Sequence, residues 1–323
     1  MAFFSDNFKD KQTVDENIFM WFKNVRFYTL DLGDTLNTIK DEAKVEELLA
    51  KTAFRPCEAN EQSSIGFAPL FGSNTPFHFS TGNDHFLKLV EETKLLPSQV
   101  VKTQVDEQVQ KKELELKRVL NKQEIETVKA AVSNSLLSKA FATRKELLIW
   151  FNTQSNIVGI SASSAKRAEG ALAMLREAFM SFGAKLLAPK CVVEARMTTW
   201  IKENTLPEKF EFGSEVTLKS TDEDGGIIRA SKEDLTSQEI AVHLDAGKNV
   251  YEIALNYDDA VTFSLTNDLT IKKVKPTDIY LEHNLPNKVE DEIADAQALL
   301  ILQGEIFTEL CSYIMEIFDC DRT

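Results

Sequence analysis

Signatures of metal binding and catalysis are what this sequence has least of. Its four cysteines, Cys57, Cys191, Cys311 and Cys320, form no CxxC pair and have no histidine at ligand spacing, which argues against a zinc site. Such cysteine usage fits a reducing, cytoplasmic compartment. The four histidines, His78, His85, His243 and His283, make no HExxH or comparable pair. There is no GxSxG elbow and no GxxxxGK[ST] loop, and the only Gly-Gly pair, Gly225-Gly226, follows acids that would repel phosphate. Carboxylates are so abundant that their proximity along the chain carries no signal for acid–base catalysis. No enzyme, cofactor or metal is therefore expected. The first residues hold no unbroken apolar core of signal-peptide length, and no later run approaches the roughly 20 apolar residues of a membrane span. Neither export nor membrane insertion is expected.

What is present is a globular chain of 323 residues, 43% hydrophobic, long enough for two or three compact units. Its net charge of -14 and pI near 4.9 would exclude a phosphate-binding surface only if the charge were evenly spread. It is not. From Asp278 to the C-terminus eleven acids face two bases, whereas from Lys102 to Glu146 ten bases face seven acids. The chain is electrostatically polarised.

Aromatic and branched residues in "MWFKNVRFYTL" (20–30) predict a strand, and "KDEAKVEELLAKTAF" after it a helix. "FRPCEANEQSSIGFAPLFGSNTP" reads as loop, and "FHFSTGNDHFLKLVEE" as two short strands about a Thr-Gly-Asn-Asp turn. Residues 99–137 are helical and highly charged. Val105, Val109, Leu116, Val119 and Leu120 share one face, and Ile125, Val128, Val132 and Leu136 a nearly opposite one, so a single straight helix cannot bury both. Asn121, with Glu124 three residues on, supplies a capping box and predicts a helix pair. The break places Lys111 with Arg118, and Lys122 with Lys129, on common faces. A solvated charge run laced with i,i+4 acids has the same pattern.

"ELLIWFN" and "NIVGISA" predict strands, followed by a helix capped by Ser164 and ended by Gly183. A helix start is expected near Thr198, then "KFEFGSEVTLKS", a tight hairpin turn at Asp224-Gly225 or Gly225-Gly226, and "IIRAS". Thr236 is expected to cap a helix that Gly247 ends. "NVYEIALNY", "VTFSLTN" and "TIKKVKP" predict an antiparallel meander, and Val289 to Phe318 a long amphipathic helix. Hairpin strands alternating with helix blocks predict an α+β fold of antiparallel sheets with packed helices. The expected divisions are an N-terminal extension (1–19), an N-terminal region (20–195) holding the charged helix pair, and a C-terminal region (196–323). Turn and cap chemistry accounts for the glycines and hydroxyls of residues 221–240, but leaves Arg229 and Lys232 unexplained.

"DGGIIRASKEDLTSQEI" resembles a signature of the RdgC family of recombination-associated proteins, and further blocks agree in order. They are "MWFKNVRFY", "AFRPC", "LLPSQVVK", "SLLSKAF", "SASSAKRAEGALAMLR" and "AGKNVYEIALNY". The resemblance runs from about residue 20 to the C-terminus, with Met20 where family members usually begin. It implies a horseshoe-shaped subunit that pairs into a two-fold ring homodimer with a positive central hole. It further implies sequence-nonspecific binding of double-stranded DNA, restriction of RecA recombinase access, and a cytoplasmic, nucleoid-associated location without a membrane. Phe141, beside Lys139, falls on a position that resembles a dimer-interface aromatic. Arg118, Lys122, Arg229 and Lys232 fall on positions that resemble basic lining or gate residues. Val119, Asn121 and Ser231 stand where some relatives carry a charge, so Lys111, Lys112, Lys166 and Arg167 are further candidates for the DNA grip. A competing expectation from the acidic charge is a DNA mimic or adaptor that binds a DNA-processing enzyme directly.

Overall fold

The computed structural model describes residues 20–222, 225–285 and 291–321. The chain opens with β1 (Asn24–Asp31), α1 (Thr35–Ile39), α2 (Glu42–Lys51), β2 (Ser63–Ala68), β3 (His78–Thr81) and β4 (Asp84–Lys94). The helix pair α3 (Ser98–Leu116) and α4 (Lys122–Leu137) precedes β5 (Ala142–Asn152), β6 (Ile157–Ile160), α5 (Ala165–Phe179), β7 (Gly183–Leu186) and α6 (Val193–Glu203). Then come β8 (Phe210–Ser220), β9 (Ile227–Ser231), α7 (Gln238–Asp245), β10 (Lys248–Tyr257), β11 (Val261–Thr266), β12 (Ile271–Pro276), α8 (Asp278–Asn284) and α9 (Glu292–Ile317). The fold is α+β, as expected.

The strands join one antiparallel sheet in the order β2-β4-β5-β6-β1-β12-β11-β10-β8-β9, with β3 also on β4 and β7 also on β1. β1 is the joint. Along one edge Arg26–Thr29 pair with β6; along the other, Asn24 and Val25 pair with β12 before Tyr28–Asp31 pair with β7. Strand alternation sends Val25 and Phe27 into one core and Tyr28 and Leu30 into the other. The first core gathers α6, α7 and α9 against β8–β12 and against Phe86 and Trp150. The second packs α2 and α5 on the reverse side, against Leu87, Leu89, Leu147, Ile149 and Phe151. The N-terminal strands are thus covered on both faces except at Ala142–Glu146 of β5, whereas in β8–β12 Glu215, Thr217, Arg229 and Glu252 alternate with core residues and line the face opposite the first core.

α9 is held by a buried amide and a glycine. The Gln303 side chain accepts from Phe22 N (2.9 Å) and donates to Met20 O (2.6 Å) and Leu299 O (3.0 Å). At Gly304 a Cβ would stand 3.1–3.2 Å from the Asp84 carboxylate and Trp150 Nε1, which themselves bond at 2.7 Å, so any larger residue would force this pair to give by a few tenths of an ångström. α9 is long and apolar enough by length and composition to cross a membrane, contrary to the expectation that no such run exists. Helical folding gathers apolar residues that are discontinuous in sequence, and 61% of that apolar window is buried in the fold.

Other local expectations are corrected. The segment read as loop contains β2, whose Ser63-Ser64-Ile65-Gly66 start carries little hydrophobic signal but which pairs along β4. α5 ends at Met180, in the left-handed region (φ 60°), which leaves Gly183 to begin β7 against Asp31. α6 starts at Val193, and Thr198 lies inside it, its hydroxyl donating to Glu194 O (2.6 Å) and accepting from Val250 N (2.9 Å). The N-cap of α7 is Ser237; Thr236 instead donates through N and Oγ1 to Asp234 Oδ1 (2.9 and 2.8 Å). Lys219 opposes Ile227, which leaves more than a two-residue turn between β8 and β9. Asp224 of the expected turn lies outside the described residues, and Gly225 is needed because a Cβ there would strike Ser220. Of the apolar residues assigned to the helix pair, Val105, Leu120 and Val128 are buried, but Leu116 and Val119 are exposed. The expected start of the last helix at Val289 also lies outside the described residues.

Gln303→Leu would keep the volume but leave Phe22 N and Met20 O buried without partners, at about 1–3 kcal/mol each; urea unfolding should show a loss of about 3 kcal/mol. A second expected outcome concerns His78 and His85, buried, stacked 7° from parallel and joined Nε2 to Nδ1 at 2.9 Å, with His85 also stacked on Phe151. Burial lowers both, with His78 adding to the effect on His85, which falls to about 4; Glu46 and Glu42 partly offset the effect on His78. Because the folded values lie below the unfolded value near 6.5, the contribution is complete above that pH and is lost as pH falls towards 4. His85→Gln should therefore flatten the fall in urea midpoint between pH 7 and pH 5; an identical fall in both proteins would contradict this.

Candidate nucleic-acid interface

The sequence-predicted basic residues fall into three groups. α3 and α4 pack chiefly on each other. At their tip Lys117 turns left-handed (φ 53°) and the capping box closes as expected, with Glu124 N donating to Asn121 Oδ1 (3.0 Å) and Asn121 N to Glu124 Oε2 (2.8 Å). Arg118 grips the same carboxylate through Nη1 (2.9 Å) and Nη2 (2.6 Å). This fork, with the Asn121 amide, holds Glu124 down at about 2. Arg118 is therefore a clasp of the tip, while Lys122, one residue past the cap, is exposed with no ion pair among the described residues.

Where α4 returns to β5, Lys139 is exposed and Phe141 stands 86% exposed. The Phe141 backbone is fixed, since its carbonyl accepts from Leu95 N at 2.7 Å. An aromatic ring left in water on an anchored backbone is the form an interface anchor takes. Lys166 and Arg167 lie in the first turn of α5; Lys166 is exposed, but Arg167 is half-buried and donates to Glu91 on β4 at 3.3 Å.

Arg229 and Lys232 belong to the third group, on and beside the solvent face of β8–β12. Arg229 lies opposite Thr217, in register with Glu252 across β10. Beside it run Glu215, paired with Lys273, and Glu252, paired with Lys272 at 3.0 Å. Lys219 leans over the Tyr251 ring, 5.5 Å from its centroid. Around Arg229 the carboxylates Glu215 and Glu252 are each paired with a lysine, Glu194 and Asp222 line the cleft beside Lys219, and Arg229 and Lys219 remain without an ion pair among the described residues. Lys232 follows the last residue of β9 at φ 61° and Lys273 bulges β12 at φ 53°, conformations that cost a non-glycine residue about 1–2 kcal/mol. Lys219, Lys272 and Lys273 escaped sequence reasoning. Alternation with buried Leu218 pointed to Lys219, but nothing local marks a bulge at Lys273.

Arg26, central on β1, is buried and spent on structure. It donates to Asp268 (2.8 Å) and to Thr270. Burial pushes the Asp268 carboxyl up, yet the hydrogen bonds from Thr266, Arg26 and Thr270 outweigh it and hold it well below the carboxylate range. Among the described residues no group of three or more His, Cys, Asp or Glu side chains is placed to hold a metal ion.

Residues 20–320 match the family described as "Putative exonuclease, RdgC". The recombination-associated protein RdgC of Shewanella loihica is 33% identical over 300 residues, which cover 92% of this chain and 97% of that protein. The proteins of the same name from Salmonella typhimurium and Salmonella typhi are each 34% identical over 289 residues, 89% of this chain and 94% of theirs. The family description includes an exonuclease, whereas the relatives' names carry recombination and no catalytic activity. With one family spanning both halves of the sheet and the helix pair between them, the chain belongs to the RdgC family and has a role in recombination.

Proposed function

We propose that the chain is a non-catalytic, sequence-nonspecific duplex-binding protein. In this reading two copies close a two-fold ring around DNA and limit access of a RecA-type recombinase, in the cytoplasm at the nucleoid. The observation that carries it is the set of cations Arg229, Lys219, Lys272 and Lys273 on one sheet face, with Lys232 just beyond the end of β9, in a chain whose net charge is -14. Phosphate oxygens are the ligand such a face suits, because guanidinium and ammonium groups bind them without reading bases. An acidic exterior with a cationic lining would keep the protein soluble and confine DNA to one surface. Phe141 supports the two-fold contact, since an isologous interface buries the same aromatic from both copies.

A direct adaptor role finds support in the eleven acids from Asp278 onward. Binding of the purified protein to a random duplex separates the two readings, because a mimic would not bind. Shortening of a labelled duplex on adding Mg2+ would instead support the activity in the family description.

Three variants test the assignment together. Lys232→Gly removes the cation while relieving its left-handed backbone, so melting temperature should hold or rise as duplex affinity falls several-fold. Arg229→Ala should weaken duplex binding and reduce the salt slope by about 1, with stability within about 0.5 kcal/mol. Phe141→Ala should leave stability unchanged but lower the dimer mass in sedimentation at micromolar concentration. Loss of melting temperature in step with loss of binding would mark these side chains as structural.

A further inference from the structure

Three of the four cysteines come together where α9 ends. Beyond the helix Asp319 is left-handed (φ 49°) and Cys320 N donates back to Met315 O at 2.8 Å, which leaves Cys320 buried near Cys311. The segment that leads into α6 grips this end. Lys190 N (3.2 Å) and the Cys191 thiol (3.7 Å) both donate to Phe318 O, and Arg196 Nη1 donates to Ile317 O. The acids on either side of Cys320 are tied to the same segment, Asp321 by Lys190 and Asp319 by Arg196 at 3.6 Å. Cys320 thus sits between two anchored acids, while the Cys191 sulfur is bound two residues away, at Phe318.

Exposure separates the roles of the three thiols. Cys191 is half-buried, whereas Cys311 and Cys320 are buried, so an oxidant in water meets Cys191 first. Burial, and then the neighbouring Cys191, push the Cys320 thiol up to about 11; burial, and then Cys320, push Cys311 higher still. Both stay protonated and inert to direct attack at neutral pH. Cys191 precedes α6 and Cys320 follows α9, so neither sulfur is carried on helical backbone, and joining them asks for a shift of loop residues only.

We propose that Cys191 and Cys320 are a reversible redox pair, which a peroxide closes into a disulfide between the end of α9 and the segment that starts α6. The Cys191 thiolate attacks one peroxide oxygen; an S–O bond forms, the O–O bond breaks, and the second oxygen leaves as hydroxide and takes up the thiol proton. The Cys320 sulfur then attacks the Cys191 sulfenic acid. An S–S bond forms, the S–O bond breaks, and the hydroxide released leaves as water with the Cys320 proton. Two thiols lose two electrons and two protons, and one peroxide becomes two waters. Because the bond closes a long loop that holds α6 to α9 and β8–β12, it stabilises the C-terminal part of the fold. None of this depends on the DNA reading.

The full chain treated with hydrogen peroxide, alkylated and mapped without reduction tests the proposal. A peptide pair joined through Cys191 and Cys320 within one chain is expected, opened again by a thiol reductant, with a melting temperature raised by roughly 5 °C while the bond is closed. Cys191→Ser should melt like the reduced protein and lose both the link and the rise. Cys320→Ala removes only the second thiol, so Cys191 should stay as a sulfenic acid that dimedone traps, in at least threefold greater yield than in the unaltered chain. A link through Cys57 or Cys311 instead, links formed only between chains, or a temperature rise that persists in Cys191→Ser would overturn the proposal. So would Cys191 driven to sulfinic acid while Cys320 remains free.

Discussion

The architecture depends on β1 serving two partners along one edge. Its first residues complete the C-terminal sheet through β12, and its last ones take β7, while β6 holds the opposite edge. A strand shared in this way must be fixed lengthwise, because a slip of one residue would exchange its two faces. Gln303 fixes it from the first core by binding the backbone of Met20 and Phe22, and Arg26 fixes it from the other face through Asp268 and Thr270. The last long helix thereby holds the first strand, and both ends of the family match meet in one core.

That joint determines what each face can do. On the N-terminal strands helices pack on both faces except along the exposed Ala142–Glu146 stretch of β5, and Arg167, which packs beside the sheet there, is paired with Glu91. On β8–β12 the first core takes one face only, which leaves the alternating polar residues facing solvent. Two carboxylates on that face are paired with Lys272 and Lys273, which leaves Arg229 and Lys219 as cations without an ion pair among the described residues. The helix pair stands apart, carrying Lys122 at its tip and Phe141 at its root. Its tip is clamped by Arg118 on Glu124.

Legibility in the sequence follows the range of the interaction. The capping box at Asn121 and Glu124 and the meander from Lys248 to Pro276 are readable, because local hydrogen bonding and period-two alternation write them directly. β2 and β7 are not, since each is held by a long-range partner rather than by its own composition. α6 begins five residues before Thr198, which looks like a cap but is a buried hydroxyl bridging Glu194 and Val250. The membrane-length character of α9 is hidden because its apolar residues are spread over a helix rather than contiguous. At the candidate site, the family blocks draw attention to Arg118, Arg229, Lys232 and Phe141, but only coordinates separate the clasped Arg118 from the unpaired Arg229. Lys272 and Lys273 depend on a bulge and on carboxylates from distant strands, for which the sequence has no local sign.

The central claim is that a local cationic face on an acidic protein binds duplex DNA through phosphates. Its most direct test is the affinity of the purified protein for two unrelated duplexes of equal length, measured by anisotropy from low to physiological salt. The account predicts equal affinities for the two duplexes and a linear fall of log affinity with log salt, by about 0.9 per phosphate neutralised. Affinity independent of salt, or no binding at low salt, would contradict it.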